Sequence, residues 1–374
     1  MANSFDYTTR AREMAYKYPR FNYIGNQVNF WIIAFVLLSS INHLNTDFLR
    51  QISPEIYEFP YSIVLVTSIA MGIIFGIITG TIDILIERSR FKRLSVGMII
   101  LIKAVTYPLI LAGITTLSRV LFTSVISSYI GVELVKMFDN QNSWGYIYIS
   151  ILIYTSFMGA VISFINQMNN MFGPGILIPL LFGRYRSPKE QKRFFMFIDM
   201  KSSATHAEVL GHLSFSSLIR DCFQDLNSVL RKNNAEIYQY VGDEVVVTWP
   251  LEVGIKNEYC LSLFFNFNDR LNDRKNYYTK KYGIVPQFKA GLHCGLITTV
   301  EVGVIKREIA YHGDTINTAA RIQSLCNQYN SSLLISDSVK SVFSSLRDNY
   351  EVRSLGKISL KGKGELVELF DVKK

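Results

Sequence analysis

Two aspartates stand just past apolar, strand-like runs: Asp199 in Phe197-Ile198-Asp199-Met200-Lys201-Ser202-Ser203 and Asp243 in Tyr240-Val241-Gly242-Asp243-Glu244. Magnesium is a hard cation that takes carboxylate and carbonyl oxygens and keeps substrate phosphates in its shell, so two carboxylates at strand ends suit a two-metal nucleotide site. Taken singly, each Asp reads as a turn or cap residue. A third segment, Gly313-Asp314-Thr315-Ile316-Asn317-Thr318-Ala319-Ala320-Arg321, starts a helix and puts Asn317 and Arg321 four residues apart on one face. A planar guanidinium beside an amide can grip a pentavalent phosphate and a ribose oxygen. Standing alone, the pair would be an Arg on a solvated face and an Asn near a cap.

The elements that must position these residues are legible as alternating strand-like and helical runs from Arg193 onward. Phe194 to Ile198 is an apolar strand ending in Asp199, and Ala207 to Arg231 has helical spacing through Val209, Leu210, Leu213, Leu218, Phe223, Leu226 and Leu230. Ile237 to Trp249 reads as two strands folded about Gly242-Asp243, and a long helical stretch runs on to about Tyr282. Strands follow at Phe288 to Leu292 and Leu296 to Val302, then a helix at Thr315 to Asn327 and strands near Leu333 to Ile335 and Ile358 to Leu360. The expectation is an α+β layer sandwich of about 180 residues, large enough to bury its own core.

Asp199 in FIDMKSS, Asp243 in YVGDE, the run Phe288-Lys289-Ala290-Gly291-Leu292-His293-Cys294-Gly295, the GDTINTAAR segment and Leu360-Lys361-Gly362-Lys363-Gly364-Glu365 stand in a fixed order. In that order and approximate spacing they resemble the catalytic domain of class III adenylyl and guanylyl cyclases, over about residues 190 to 372. The resemblance implies a ferredoxin-like α+β fold. It also implies two Mg2+ (or Mn2+) ions held by Asp199, Asp243 and the backbone carbonyl of Ile198. Asn317 would orient the ribose, Arg321 would stabilise charge developing on the α-phosphate, and Lys289 and Lys361 would hold the outer phosphates. Lys363 is a further candidate, although lysines in a glycine-rich turn are often only solvated. In the family the metal aspartates and the Asn/Arg pair of one site come from different domains, so a chain carrying both sets implies a head-to-tail homodimer with two interfacial sites.

The base pocket departs from the family. Where adenylyl cyclases usually carry Lys and Asp or Thr, and guanylyl cyclases Glu and Cys, this chain has Gln239 and Ala310. A Gln amide both donates and accepts, whereas Ala310 offers no hydrogen bond. ATP is the favoured nucleoside triphosphate substrate, with GTP next and a pyrimidine nucleotide left open.

The first half has another character. Four runs, roughly Val28 to Leu44, Tyr61 to Ile86, Val96 to Phe122 and Trp144 to Ile165, are long and apolar enough to cross a bilayer. Arg10, Arg12, Lys17 and Arg20 precede the first. Arg88, Arg90, Lys92 and Arg93 separate the second from the third, and Arg184, Arg186, Lys189, Lys192 and Arg193 follow the fourth. The two other loops carry only Arg50 and Lys136. The positive-inside rule then gives a multi-pass inner-membrane protein in contact with lipid, with both termini cytoplasmic. The expected organisation is a cytoplasmic segment over 1–27, a four-helix transmembrane domain over 28–165, a juxtamembrane linker over 166–192 and a catalytic domain over 193–374. The linker, with Gly173-Pro174-Gly175 and Pro179, either couples the halves or merely tethers them. Asp83, Lys103 and Arg119 fall within or at the edges of the runs. They read either as a signal-sensing device or as helix-end snorkelling for Asp83 and Arg119 with a buried pair or water contact for Lys103.

Composition narrows the remaining classes. The 374 residues are 49% apolar and 18% charged, with a mean hydropathy of +0.19, which excludes a disordered chain. The net charge is +9, and the basic residues of the first half cluster at the ends of apolar runs instead of in a stripe with interleaved aromatics, so no nucleic-acid partner is expected. Cys222, Cys260, Cys294 and Cys326 form no CxxC pair, hence neither a disulfide framework nor a zinc knuckle. A catalytically silent module would be expected to lack a metal Asp, Asn317 or Arg321, and all are present. A transporter or channel would be expected to show an internal repeat or a polar pathway.

Overall fold

The computed structural model describes residues 18–53, 60–88, 95–121, 141–173, 176–343 and 350–374. They fall into two compact units, Met1–Leu177 and Ile178–Lys374. Arg10, Arg12, Lys17, Arg90, Lys92, Arg93 and Lys136, on which the orientation was argued, lie outside the described residues, as do Phe122, Pro174 and Gly175.

The first unit contains α1 (Pro19–Ile52), α2 (Tyr61–Arg88), α3 (Val96–Leu121) and α4 (Gln141–Phe172). All four helices are long and apolar enough to cross a membrane. Helix α1 starts nine residues before the expected run, with Pro19 in its first turn, where a missing N–H costs nothing. Polar Asn22, Gln27 and Asn29 hide this start from a hydropathy reading, yet Gln27, Trp31, Ala34 and Phe35 recur at helical spacing and are buried. Gly72, Gly76 and Gly80 place a smooth stripe along α2. A Cβ at Gly72 would stand 2.6 Å from the Cα of Ile32, and one at Gly76 2.5 Å from the Cα of Val28. Backbones can approach this closely only where neither helix projects a side chain, which is how apolar helices gain packing energy in lipid. Trp31, Phe35, Phe75 and Tyr107 fill the core next to the stripe in edge-to-face and tilted contacts, Trp31 and Phe75 at 4.5 Å between centroids.

Asp83 does not snorkel. It is fully buried, with Arg88 still five residues ahead at the end of α2. Its Oδ2 accepts from Tyr23 (2.6 Å) and Gln27 (3.0 Å) of α1 and from Lys103 (2.9 Å) and Tyr107 (2.7 Å) of α3. Each donor pair is spaced i, i+4 on its own helix, so one carboxylate oxygen ties three helices. Lys103 makes the buried pair. Arg119 lies in the last turn of α3 with its guanidinium 4.9 Å from the ring centroid of Trp144.

The second unit is built on β1 (Lys189–Met200), β2 (Glu236–Val241), β3 (Glu244–Pro250), β4 (Phe288–Val302), β5 (Glu308–His312), β6 (Leu333–Ser336), β7 (Glu351–Ser359) and β8 (Leu366–Lys373). The sheet order is β2-β3-β1-β4-β6-β8-β7, with β5 paired to β4; only β4 and β6 run parallel. This is the expected α+β architecture, on a sheet of mixed sense. One face of β1 (Phe194, Met196, Ile198) packs with Leu218, Trp249, Phe264 and Phe267, while Phe195 and Phe197 pack on the other face with Val246, Ile297 and Ala319. Burial on both faces is why Phe194 to Ile198 reads as an unbroken apolar run.

Several elements differ from their sequence outlines. Helix α6 (Ser203–Leu230) is broken at Gly211. The long helical stretch is α7 (Leu251–Ile255), α8 (Tyr259–Asp273) and α9 (Lys275–Tyr282), interrupted where Asn257 and Glu258 take positive φ. A short α5 (Leu177–Leu181) precedes the sheet, α10 (Asp314–Ser324) stops three residues early, and α11 (Asp337–Lys340) follows β6. The two strands expected around Gly295 are one, β4, because Gly295 makes room for a neighbour and does not turn the chain.

The stripe on α2 sets a test. Gly76→Val should lower the stability of the detergent-solubilised protein by about 1 to 3 kcal/mol through overpacking against Val28. Gly113→Val, at a position with nothing within 4 Å, should leave thermal unfolding nearly unchanged.

Candidate active site

Asp199 sits at the end of β1, directly across from Glu244 on β3 and from Lys289 on β4. Asp243 is in the two-residue turn joining β2 to β3, next to Gly242 at φ 61°, a conformation glycine adopts without strain. The strand register therefore brings Ile198, Asp199, Asp243 and Lys289 to one end of the central strands. Lys289, nearly buried, holds its Nζ 3.4 Å from Asp199 Oδ2, and Gln323 Nε2 donates to the same oxygen at 3.0 Å.

The site is short of positive charge. Burial, reinforced by the charge of Asp243, pushes the Asp199 carboxyl up despite Lys289. Burial together with Asp199 and Asp243 pushes Glu244 up to about 7. Among the described residues no three His, Cys, Asp or Glu side chains converge on one point. A cation here would rest on Asp199, Asp243 and the Ile198 carbonyl, leaving coordination positions for phosphate oxygens. An all-oxygen set with excess negative charge fits Mg2+ or Mn2+.

The other candidates gather around α10. Gly291 and Gly295 of β4 form its seat: a Cβ at Gly291 would fall on the main-chain nitrogen of Gln323, and one at Gly295 would stand 2.6 Å from Thr315 Oγ1. Thr315 also donates to the Leu296 carbonyl at 2.8 Å. Between the two glycines lies buried His293, its Nδ1 2.7 Å from Ser336 Oγ. Burial and the charge of Lys363 push its imidazole down to about 4, so it is neutral at physiological pH. On α10 itself Asn317 is exposed and Arg321 is half-buried with no partner for Nη1. Gly362, in the turn between β7 and β8, lies close to the Arg321 guanidinium. In the same turn Lys361 is exposed, while Lys363 is engaged with Asp314 at 2.9 Å and Thr318 at 3.1 Å.

Gln323 follows Arg321 by two residues, about 200° around a helix, so the residue of α10 that faces Asp199 is Gln323 and not Arg321. One chain thus brings the two aspartates and Lys289 together, and separately brings Asn317 and Arg321 together with the Lys361 turn. Of the two residues expected in a base pocket, Gln239 is exposed on β2 just after a bulge, and Ala310 is nearly buried on β5. Their chain neighbours Tyr238 and Tyr311 meet with ring centroids 4.9 Å apart. Glu244, His293 and Gln323 were missed from sequence, although each adjoins or lies within one of the quoted motifs.

A carboxyl group with a raised folded-state value favours folding at low pH and loses that contribution as pH rises. For Glu244 the window runs from its ordinary 4.5 to about 7. In metal-free protein the unfolding temperature should fall across this window, and less steeply in Glu244→Gln. Equal slopes for the two proteins, measured by scanning fluorimetry from pH 5 to 8, would contradict the crowding of charge described above.

Residues 187–371 match the family model described as the adenylate and guanylate cyclase catalytic domain. Adenylate cyclase 2 of Rhizobium meliloti is 33% identical over 219 residues, covering 58% of this chain and 60% of that protein. The adenylate cyclase of Anabaena cylindrica is 24% identical over 189 residues, 48% of this chain and 36% of its own length. Among solved structures, that of a bacterial light-regulated adenylyl cyclase aligns with 58% of this chain and 64% of its own at 18% identity, with a TM-score of 0.49. The chain thus spans less than two thirds of the length of the curated relatives it matches. The five ordered motifs all lie within residues 187–371, the part of the chain that matches the adenylate and guanylate cyclase catalytic domain.

Proposed function

We propose that the protein is a membrane-anchored nucleotidyl cyclase that converts ATP to 3',5'-cyclic AMP and diphosphate, working as a homodimer with two divalent ions in each of two shared sites. The observation that carries the reading is the division of α10: Gln323 meets Asp199 while Asn317 and Arg321 occupy other faces of the helix. A second chain is then needed to bring an Arg321 to the phosphate held near Asp199. The unpartnered Nη1 of Arg321 supports this, because a buried guanidinium donor without an acceptor is costly unless substrate supplies one. The four apolar helices support anchoring, which would also confine two catalytic domains and favour their pairing.

In the reaction the ribose 3'-oxygen attacks the α-phosphorus, its proton leaves, and the bond to the β-phosphate oxygen breaks. Divalent ions on Asp199, Asp243 and the Ile198 carbonyl would supply Lewis acidity toward the 3'-hydroxyl and the triphosphate. Asn317 orients the ribose so that the attack is in line. Arg321 stabilises charge that grows on the α-phosphoryl oxygens. Lys361, exposed in its turn, meets the outer phosphates from the chain that supplies Arg321. Lys289 neutralises charge beside Asp199 and reaches the same phosphates from the opposite chain. The adenylate cyclase at 33% identity supports ATP as substrate, although Gln239 and Ala310 match neither family pattern.

Asp199→Asn and Arg321→Ala should each cut turnover more than tenfold, since loss of a metal ligand or of a transition-state donor costs at least a few kcal/mol of barrier. Mixed in one sample, the two inactive proteins should regain activity, because one of the two sites in a heterodimer is intact. No recovery in a demonstrated heterodimer would place the site within one chain. At the base pocket, Gln239→Ala should lower the ATP to GTP preference about two- to tenfold, the worth of one neutral hydrogen bond, with maximal rate little changed. An unaltered ratio of cyclic products, read by mass spectrometry, would show that the base is read elsewhere.

A further inference from the structure

Gln323 is nearly buried and lies on the last turn of α10, where its amide reaches 3.0 Å to Asp199 Oδ2. Lys289 meets the same oxygen, so both protein partners converge on Oδ2 and leave Oδ1 without a donor among the described residues. The main chain of Gln323 cannot drift, because it rests on Gly291, where even a methyl group would collide with its nitrogen. The amide therefore approaches Asp199 from a fixed point and sets which way the carboxylate is turned. Second partners of this kind orient a ligand and set its basicity, and their loss commonly costs metal affinity about ten- to a hundredfold.

We propose that Gln323 is the positioning residue for the metal-binding carboxylate Asp199, and that α10 thereby serves two catalytic centres at once. The inference rests on the shared-site reading given above. Through Gln323 the helix orients Asp199 of one centre, and through Asn317 and Arg321, about 240° and 200° away around the same helix, it acts in the other. A loss at Gln323 should be felt in the centre that uses Asp199 of the same chain and not in the centre that uses its Asn317 and Arg321.

The test uses Gln323→Met, which keeps length and bulk but cannot donate, and Gln323→Asn, which keeps the amide but withdraws it by one methylene. In substrate-free full-length protein, Mn2+ titration followed by electron paramagnetic resonance should show affinity lowered tenfold or more in both variants. A change under about threefold would overturn the proposal. The second arm places Gln323→Met in one chain of the heterodimer formed from Asp199→Asn and Arg321→Ala proteins. In the Arg321→Ala chain, whose Asp199 is in use, it should raise the Mn2+ concentration for half-maximal activity about tenfold. In the Asp199→Asn chain it should leave that concentration unchanged. Equal shifts from both placements would mean that Gln323 only supports the helix. A parent heterodimer without activity would instead reject the shared site itself.

Discussion

The second unit depends on the close seating of α10 against β4. Two glycines four residues apart on that strand, Gly291 and Gly295, let the helix descend until its own backbone and Thr315 occupy the space that side chains would otherwise fill. A helix held by backbone contact cannot rotate, so each of its residues is given a direction. Gln323 is turned toward Asp199, Thr315 toward the Leu296 carbonyl and Arg321 toward the β7–β8 turn. Neutral His293 lies beneath the helix without adding charge to a site that already holds an unbalanced set.

That imbalance has a structural origin. Asp199 and Glu244 face one another across β1 and β3, Asp243 sits in the adjoining turn, and Lys289 is the cation drawn against Asp199. Burial makes the repulsion felt, because charges in a low-dielectric setting are poorly screened. A fold that buries carboxylates in this way is strained without a counter-charge. Divalent ions would supply such a charge and a polyphosphate would share it, which links the electrostatics of the ligand-free protein to its proposed chemistry.

The helical unit handles charge in the opposite manner. Asp83 and Lys103 neutralise one another, and Tyr23, Gln27 and Tyr107 complete the shell around a single carboxylate oxygen. In an apolar setting an ion pair lacking such donors would cost more than it returns. Here the polar group also fixes how α1 and α3 sit on α2, beside a glycine stripe that could by itself accommodate sliding. Specificity of packing comes from the charge and closeness from the glycines.

The four apolar helices, the order of the motifs and the α+β class are legible in the chain's residues alone, because hydropathy and motif spacing are properties of short windows. Asp199, Asp243, Asn317 and Arg321 could be singled out for the same reason. Which of them meet depends on contacts between distant segments. Gln323 is 124 residues from Asp199, and that contact exists because β1 and β4 pair in one register while α10 lies across them. Asp83 looked like a helix-end charge because its partners lie on two other helices, 60 and 56 residues before it and 20 and 24 after it. Gly295 fell between two expected strands for a related reason: a residue that must be small because a helix passes over it has the same local signature as one that must bend.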